Sequence, residues 1–184
     1  MKIINGLIII NPKIHNDNRG NFYEIWNKKT FSKFGINNNF VQDNFSFSKY
    51  KGTFRGFHFQ KPPFSQAKLI RCSRGSIIDY AVDIRKNSKT YGKVYSIKLT
   101  SINKVQIFIP IGFLHGFITL ENNTEVNYKV TKFYNTKSEQ TINYNDKILD
   151  LKFPKSIKKI ILSKKDINGL SFENLKSPYR IKLK

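Results

Sequence analysis

Apolar and polar residues alternate with a period of two in runs punctuated by Gly, Pro and Asn, the pattern of half-buried β-strands. Strands are predicted around 7–10 and over 21–26, 54–60, 66–72, 77–84, 93–99 and 105–109. Further strand extends from Pro110 and Gly112 through His115-Gly116-Phe117 to Leu120, and again over 125–134. Turn chemistry separates them at Asn16-Asp17-Asn18-Arg19-Gly20, Pro62-Pro63, Gly75, Asn103 and Asn122-Asn123. A short helix is predicted over 30–34, capped by Thr30 and stopped by Gly35. Phe40 to Ser46 is a polar-aromatic stretch. From Asn145 onward the pattern loosens, and Ser163-Lys164-Lys165-Asp166 opens either a small helix or an irregular cap over the β body. No repeat or linker interrupts the chain, so residues 1–184 are expected to form a single all-β domain, a sandwich or barrel.

Strand parity adds detail. Over 77–84, Ile78, Tyr80, Val82 and Ile84 share one face, and Asp79 and Asp83 share the other with Ile77 and Ala81. Two carboxylates on one face could orient a histidine or meet surface lysines. Tyr128 falls on the apolar side of its strand with Val126 and Val130, the place of an ordinary core tyrosine. Arg55 and His58, in Gly52-Thr53-Phe54-Arg55-Gly56-Phe57-His58-Phe59-Gln60, have opposite parity and in a regular strand would point apart. If both serve one pocket, a bulge or sharp bend near Gly56 is required.

Composition narrows the class. With 39% hydrophobic and 14% aromatic residues the chain is too apolar for disorder and leans toward strand. The net charge of +21 raises a polyanion as partner. The lysines, however, are spread along the whole chain as a solvated surface would spread them, and no basic run alternates with aromatics as a nucleic-acid motif would. Cys72 is the only cysteine, which excludes an internal disulfide and points to a reducing cytoplasm. The apolar run from Ile3 to Ile10 is too short to span a bilayer and reads as a first strand.

Gly52-x5-His58 and Pro110-x-Gly112-x2-His115 resemble halves of the two cupin signatures, which mark facing strands of a small jelly roll. Metal-binding cupins continue the first as His-x-His with a nearby Glu. Here Gln60, Phe64 and Ser65 stand at those positions, leaving two good ligands where a catalytic divalent site usually has three. The resemblance therefore implies a cupin-type double-stranded β-helix without a metal.

Several longer motifs, in order over about residues 5–170, resemble the dTDP-4-dehydrorhamnose 3,5-epimerase family. They are Asp17-Asn18-Arg19-Gly20-Asn21-Phe22-Tyr23-Glu24, Phe40-Val41-Gln42-Asp43-Asn44, Arg55-Gly56-Phe57-His58-Phe59-Gln60, Gln66-Ala67-Lys68-Leu69-Ile70-Arg71, Asp79 to Arg85, Pro110 to Phe117, Asn127-Tyr128-Lys129 and Leu162 to Asp166. The resemblance implies a homodimeric jelly roll with short peripheral helices that needs no cofactor and inverts C3 and C5 of a nucleotide-linked 4-keto-6-deoxyhexose. By the same resemblance His58 is the base, Asp166 its orienting partner, Tyr128 the acid on the far face, and Lys68 the cation facing the enolate oxygen. His115 and Asp79 support them. Arg55, Gln42 and Asn44 are implied for the diphosphate. Arg19, Phe22 and Glu24 are implied for the nucleotide of the neighbouring subunit, with Tyr134 near the base.

The N-terminal strands, residues 1–50, are accordingly expected at a dimer interface, and 145–184 as a C-terminal cap. Tyr144 and Phe153-Pro154 stand where the family has tryptophan and Trp-Pro, and residues 171–184 match little. Two rival functions follow: a C3-only epimerase of a related TDP- or GDP-deoxysugar, and a non-catalytic basic cupin that binds an anionic glycan or nucleic acid.

Overall fold

The alternating strands assemble into two packed antiparallel sheets in the computed structural model, which describes residues 1–181. In chain order the strands are β1 (Lys2–Ile4), β2 (Leu7–Ile10), β3 (His15–Asp17), β4 (Gly20–Phe22), β5 (Gln42–Ser48), β6 (Phe54–Gln60), β7 (Lys68–Arg74), β8 (Ser76–Asp83), β9 (Val94–Thr100), β10 (Gln106–Ile109), β11 (Phe113–Thr119), β12 (Thr124–Val130) and β13 (Glu139–Thr141). Two short helices, α1 (Lys28–Ser32) and α2 (Lys164–Ile167), lie outside them. One sheet runs β1-β2-β10-β7-β12-β5 and the other β13-β6-β11-β8-β9, while β3 and β4 form a separate hairpin. This is the all-β jelly roll expected from the sequence.

The parity of β8 now has a physical meaning. Its inward side chains Ile77 and Ala81 join Ile70, Cys72, Phe117 and Val126 in the core between the sheets. Its outward ones, Tyr80 and Val82, pack with Phe54, Phe57 and Leu114 beneath residues from beyond 145, among them Leu149, Phe153, Ile160 and Phe172. The five-stranded sheet is thus covered on both sides. On the far side of the six-stranded sheet, Phe31 of α1 packs with Ile8, Leu69 and Phe108. Residues 182–184 of the expected cap lie outside the described residues.

The irregularity required near Gly56 is present. His115 of β11 pairs with His58 and Phe117 with Arg55, so β6 carries one residue more than β11 across this step. Phe54, Phe57 and Phe59 consequently share the outer core, and Arg55 and His58 both face inward. Gly56 has φ +139, and a Cβ there would lie 2.5 Å from Gly116 Cα, so the two backbones meet where only glycine fits. The peptide that follows it, Gly56–Phe57, is cis.

Three local expectations are corrected, and one stretch gains an element that the pattern had not assigned. The first helix starts earlier, because Asn27 is its N-cap and accepts from the Thr30 amide at 3.1 Å, while the Thr30 hydroxyl turns to Glu24. The strand expected over 21–26 ends at Phe22, since it has only β3 to pair with. The polar-aromatic stretch is largely strand β5, paired along its length with β12. The strand expected over 125–134 stops at Val130, beyond which side chains replace the ladder.

Candidate active site

Two adjoining cavities of about 650 and 270 Å³ open between the sheets and share His58, Lys68, Tyr128, Tyr134 and Glu139. His58 is on β6 in one sheet, whereas Lys68 on β7 and Tyr128 on β12 are in the other. The pocket therefore has a histidine wall and a tyrosine wall.

His58 Nε2 lies 2.6 Å from Asp166 Oδ1. Asp166 comes from α2, whose N-cap Ser163 accepts the Asp166 amide, and its carboxyl is almost fully buried while His58 keeps 23% of its side chain open. Burial pushes the Asp166 carboxyl up, but the His58 hydrogen bond and charge, with help from Ser163, outweigh it and hold it below its ordinary value. An acceptor fixed on Nε2 selects the tautomer protonated there and leaves Nδ1 as the basic nitrogen.

Next to it across the strands, His115 Nε2 lies 2.8 Å from Asp79 Oδ2. This pair is buried throughout, and burial, against the opposing pull of Asp79, lowers the His115 pKa. Asp79 Oδ1 has no hydrogen-bond partner among the described residues. Of the two carboxylates on the inward face of β8, Asp79 orients a histidine; Asp83 is taken up by Arg85, Ser88 and Thr90.

Lys68 Nζ sits 5.7 Å from the centre of the Tyr128 ring. Desolvation lowers its pKa to about 8, partly offset by the charges of Glu139 and Asp79. Burial raises the Tyr128 phenol above its ordinary value, which keeps the proton it would donate.

Glu139 and Lys165 belong to this site and were missed in the sequence. Glu139 Oε2 accepts from Tyr134 Oη and from Lys165 Nζ, each at 2.8 Å. Burial pushes the Glu139 carboxyl up, but the bonds from Lys165 and Tyr134 and the charge of His58 bring it below the ordinary value. Its three-residue strand has no periodicity to read. Arg55 lines the larger cavity with its guanidinium tied to Ser48 Oγ and the Phe47 carbonyl. Gln42 and Asn44 line the smaller one and bond each other at 2.7 Å.

Arg19, Phe22 and Glu24 line neither cavity. Arg19 is on the exposed β3–β4 turn and pairs with Asp17 at 2.7 Å, Phe22 is 70% exposed, and Glu24 braces the start of α1 through Asn27 and Thr30.

No group of three His, Cys, Asp or Glu side chains suited to a metal is present among the described residues. Gln60, at the position of the second cupin histidine, points its amide at the carbonyls of Phe64 and Phe133. What the arrangement offers is a base on one wall, a proton donor on the other and a cation beside them. That is the equipment for moving protons on and off a carbon next to a carbonyl.

Comparison with known proteins agrees with this chemistry. The family model for dTDP-4-dehydrorhamnose 3,5-epimerase matches residues 2–174. The dTDP-4-dehydrorhamnose 3,5-epimerase of Shigella flexneri is 44% identical over 167 residues, 90% of this chain and 91% of that protein. The structure of dTDP-6-deoxy-D-glucose-3,5-epimerase from Legionella pneumophila, in complex with dTDP-4-keto-L-rhamnose, matches with a TM-score of 0.92 and 38% identity over 99% of this chain and 97% of that one. A 3'-monoepimerase from Streptomyces bikiniensis in complex with dTDP-quinovose matches at a TM-score of 0.84 and 27% identity, over 90% of this chain and 83% of that one. The chain belongs to the dTDP-4-dehydrorhamnose 3,5-epimerase family.

Proposed function

We propose that this chain is an isomerase converting dTDP-4-dehydro-6-deoxyglucose to dTDP-4-dehydrorhamnose, by removing and returning the protons at C3 and C5. The observation that carries the reading is the placement of His58 and Tyr128 on opposite walls with Lys68 beside them. A C4 ketone acidifies the hydrogens on both neighbouring carbons. His58 Nδ1 takes one, and the C–H electron pair moves into the ring as the C4 oxygen becomes an enolate. Lys68 stabilises that oxygen, a contribution on the order of 3 kcal/mol for a fixed donor in a dry site. The enolate then collapses as Tyr128 returns a proton to the opposite face, and the carbon is inverted. Asp166 stabilises the imidazolium formed in between.

Arg55, Gln42 and Asn44 receive the diphosphate, and Tyr134 lies near the base. The enzyme works as a homodimer in the cytoplasm, one domain per chain. The exposed Phe22 and the turn carrying Arg19, with Glu24 beside it, serve the neighbouring subunit's nucleotide; their exposure and their absence from the lining of the two cavities support that assignment. No helix among the described residues is long and apolar enough to cross a membrane.

Incubation with dTDP-4-keto-6-deoxyglucose in D2O tests the reading. Deuterium is expected at C3 and C5. Label at C3 alone would assign the chain to the mono-epimerases, a reading favoured only by the fold likeness to the Streptomyces enzyme. No label, together with strongly salt-dependent binding of a polyanion, would assign it to the non-catalytic class.

A further inference from the structure

Beyond Val130 the chain leaves the sheet, and the segment from Lys132 to Asn135 is held by three glutamines. Gln66 Nε2 donates to the Lys132 carbonyl at 2.7 Å, and Gln60 Nε2 donates to the Phe133 carbonyl at 3.2 Å. Gln42 Oε1 accepts the Tyr134 amide at 3.2 Å, and Gln60 Oε1 accepts the Asn135 amide at 2.6 Å. Each residue of the segment is thus gripped once. Gln60 grips both neighbours of Tyr134 and is itself only 4% exposed. Its second amide hydrogen goes to the Phe64 carbonyl at 2.7 Å, so both of its donors are committed to backbone even though the residue lines the smaller cavity. These side-chain bonds take the place of the strand ladder along a segment whose residues are largely exposed, so they are what fixes its course against solvent.

The held residue stands where the cavities meet. Tyr134 lines both of them, and its hydroxyl donates to Glu139, which Lys165 also reaches.

We propose that Gln60, aided by Gln42 and Gln66, is a positioning residue: it clamps the 132–135 backbone and so sets Tyr134 against Glu139 at the junction of the two cavities. For Gln42 this makes the carboxamide a scaffold before it is a ligand contact. The functional part of the proposal rests on the epimerase reading, in which Tyr134 touches the nucleotide end of the substrate, away from the reacting carbons.

Amide hydrogen exchange tests the clamp without reference to any reaction. In Gln60→Ala the Asn135 and Tyr134 amides are expected to exchange at least about tenfold faster than in the wild type, with β6 and β11 amides unchanged. Equal rates at 134 and 135 would overturn the proposal. Steady-state kinetics with dTDP-4-keto-6-deoxyglucose read the consequence. Gln60→Ala is expected to raise KM about tenfold while kcat stays within about threefold, and Gln60→Ala combined with Tyr134→Ala is expected to be no worse than Tyr134→Ala alone. Effects that multiply, or a fall confined to kcat, would overturn it. Should Gln60→Ala fail to fold, Gln60→Glu keeps the volume and the acceptor for Asn135 but loses both donors, and Gln66→Ala removes one outer grip. Both are expected to show the same KM rise in smaller measure, and wild-type KM in both would overturn the proposal. If the wild-type enzyme does not turn the substrate over, the epimerase reading fails, and the exchange rates still decide the clamp.

Discussion

His58 and His115 face each other across β6 and β11, and each places Nε2 on a carboxylate oxygen, at 2.6 and 2.8 Å. Chemically the two pairs are the same. Their surroundings are not: His58 opens to the cavity and takes its partner from a four-residue helix 108 positions away, while His115 and Asp79 come from neighbouring strands and are almost fully buried, with only the edge of His115 reaching the cavity wall. A histidine–carboxylate pair is a catalytic device only where one ring nitrogen can reach a substrate. Where both partners are buried, the pair is expected to brace the wall.

The largest effect expected separates the two outright. His58→Asn should lower deuterium incorporation at both carbons by about 10³-fold, within the range of a lost general base, with the fold retained. His115→Asn should cost less than about tenfold in the same assay. Equal losses in the two variants would mean that the buried pair also handles protons. Asp166→Asn comes next, at about 10²-fold in kcat, because the base survives but loses the charge that stabilises its imidazolium. A wild-type rate in that variant would reduce the first pair to the status of the second.

The asymmetry between the pairs also explains what could be read in the sequence. β8 displays its inward carboxylates by simple alternation, so Asp79 was legible as one of two carboxylates that could orient a histidine or meet surface lysines, a choice its own strand left open. Asp166 was not: in Ser163-Lys164-Lys165-Asp166 it looks like an exposed helix start, and only its family resemblance singled it out. The structure buries it because apolar residues flanking α2, Ile160 and Leu162 among them, pack on the outer core and so bring Ser163, Lys165 and Asp166 to the cavity beside His58. Glu139 escaped for the same reason, since its role comes from Tyr134 and Lys165, neither of which its own strand could announce. Parity went further. The conflict between Arg55 and His58 required a bulge at Gly56, and the register supplies it. The Thr30 cap failed because Asn, Thr and Glu all compete at that helix start, and the order in which they bond is a tertiary outcome.

One cation lies within reach of both pairs and offers a finer comparison. Lys68 is held at a pKa of about 8, with desolvation lowering it and the charges of Glu139 and Asp79 raising it. If its charge stabilises the enolate, kcat/KM should fall above about pH 8 as Lys68 loses its proton in the free enzyme. Removing the Asp79 charge with Asp79→Asn withdraws one raising influence, so the alkaline limb should move to lower pH. A limb that stays in place would show that the buried pair does not act on the site electrostatically.

The smallest expected effect on activity belongs to His115, and there the measurement is stability. Removing it leaves the Asp79 carboxylate buried, with Oδ2 deprived of its partner and Oδ1 already without one among the described residues. Breaking such a buried pair costs about 3 kcal/mol, or a fall in Tm of about 6–12 °C for a chain of this size. The pH dependence identifies the form of the histidine. Burial holds native His115 below its ordinary value of 6.5, so as the pH falls through that value the unfolded chain takes up a proton that the folded one resists. Wild-type stability should therefore decline on that side, and His115→Asn lacks this contribution. In urea unfolding the gap between wild type and His115→Asn should narrow from pH 7.5 to pH 5.5. If it widens instead, His115 is protonated in the native state, the buried pair is a true ion pair, and burial is not what distinguishes it from His58 and Asp166.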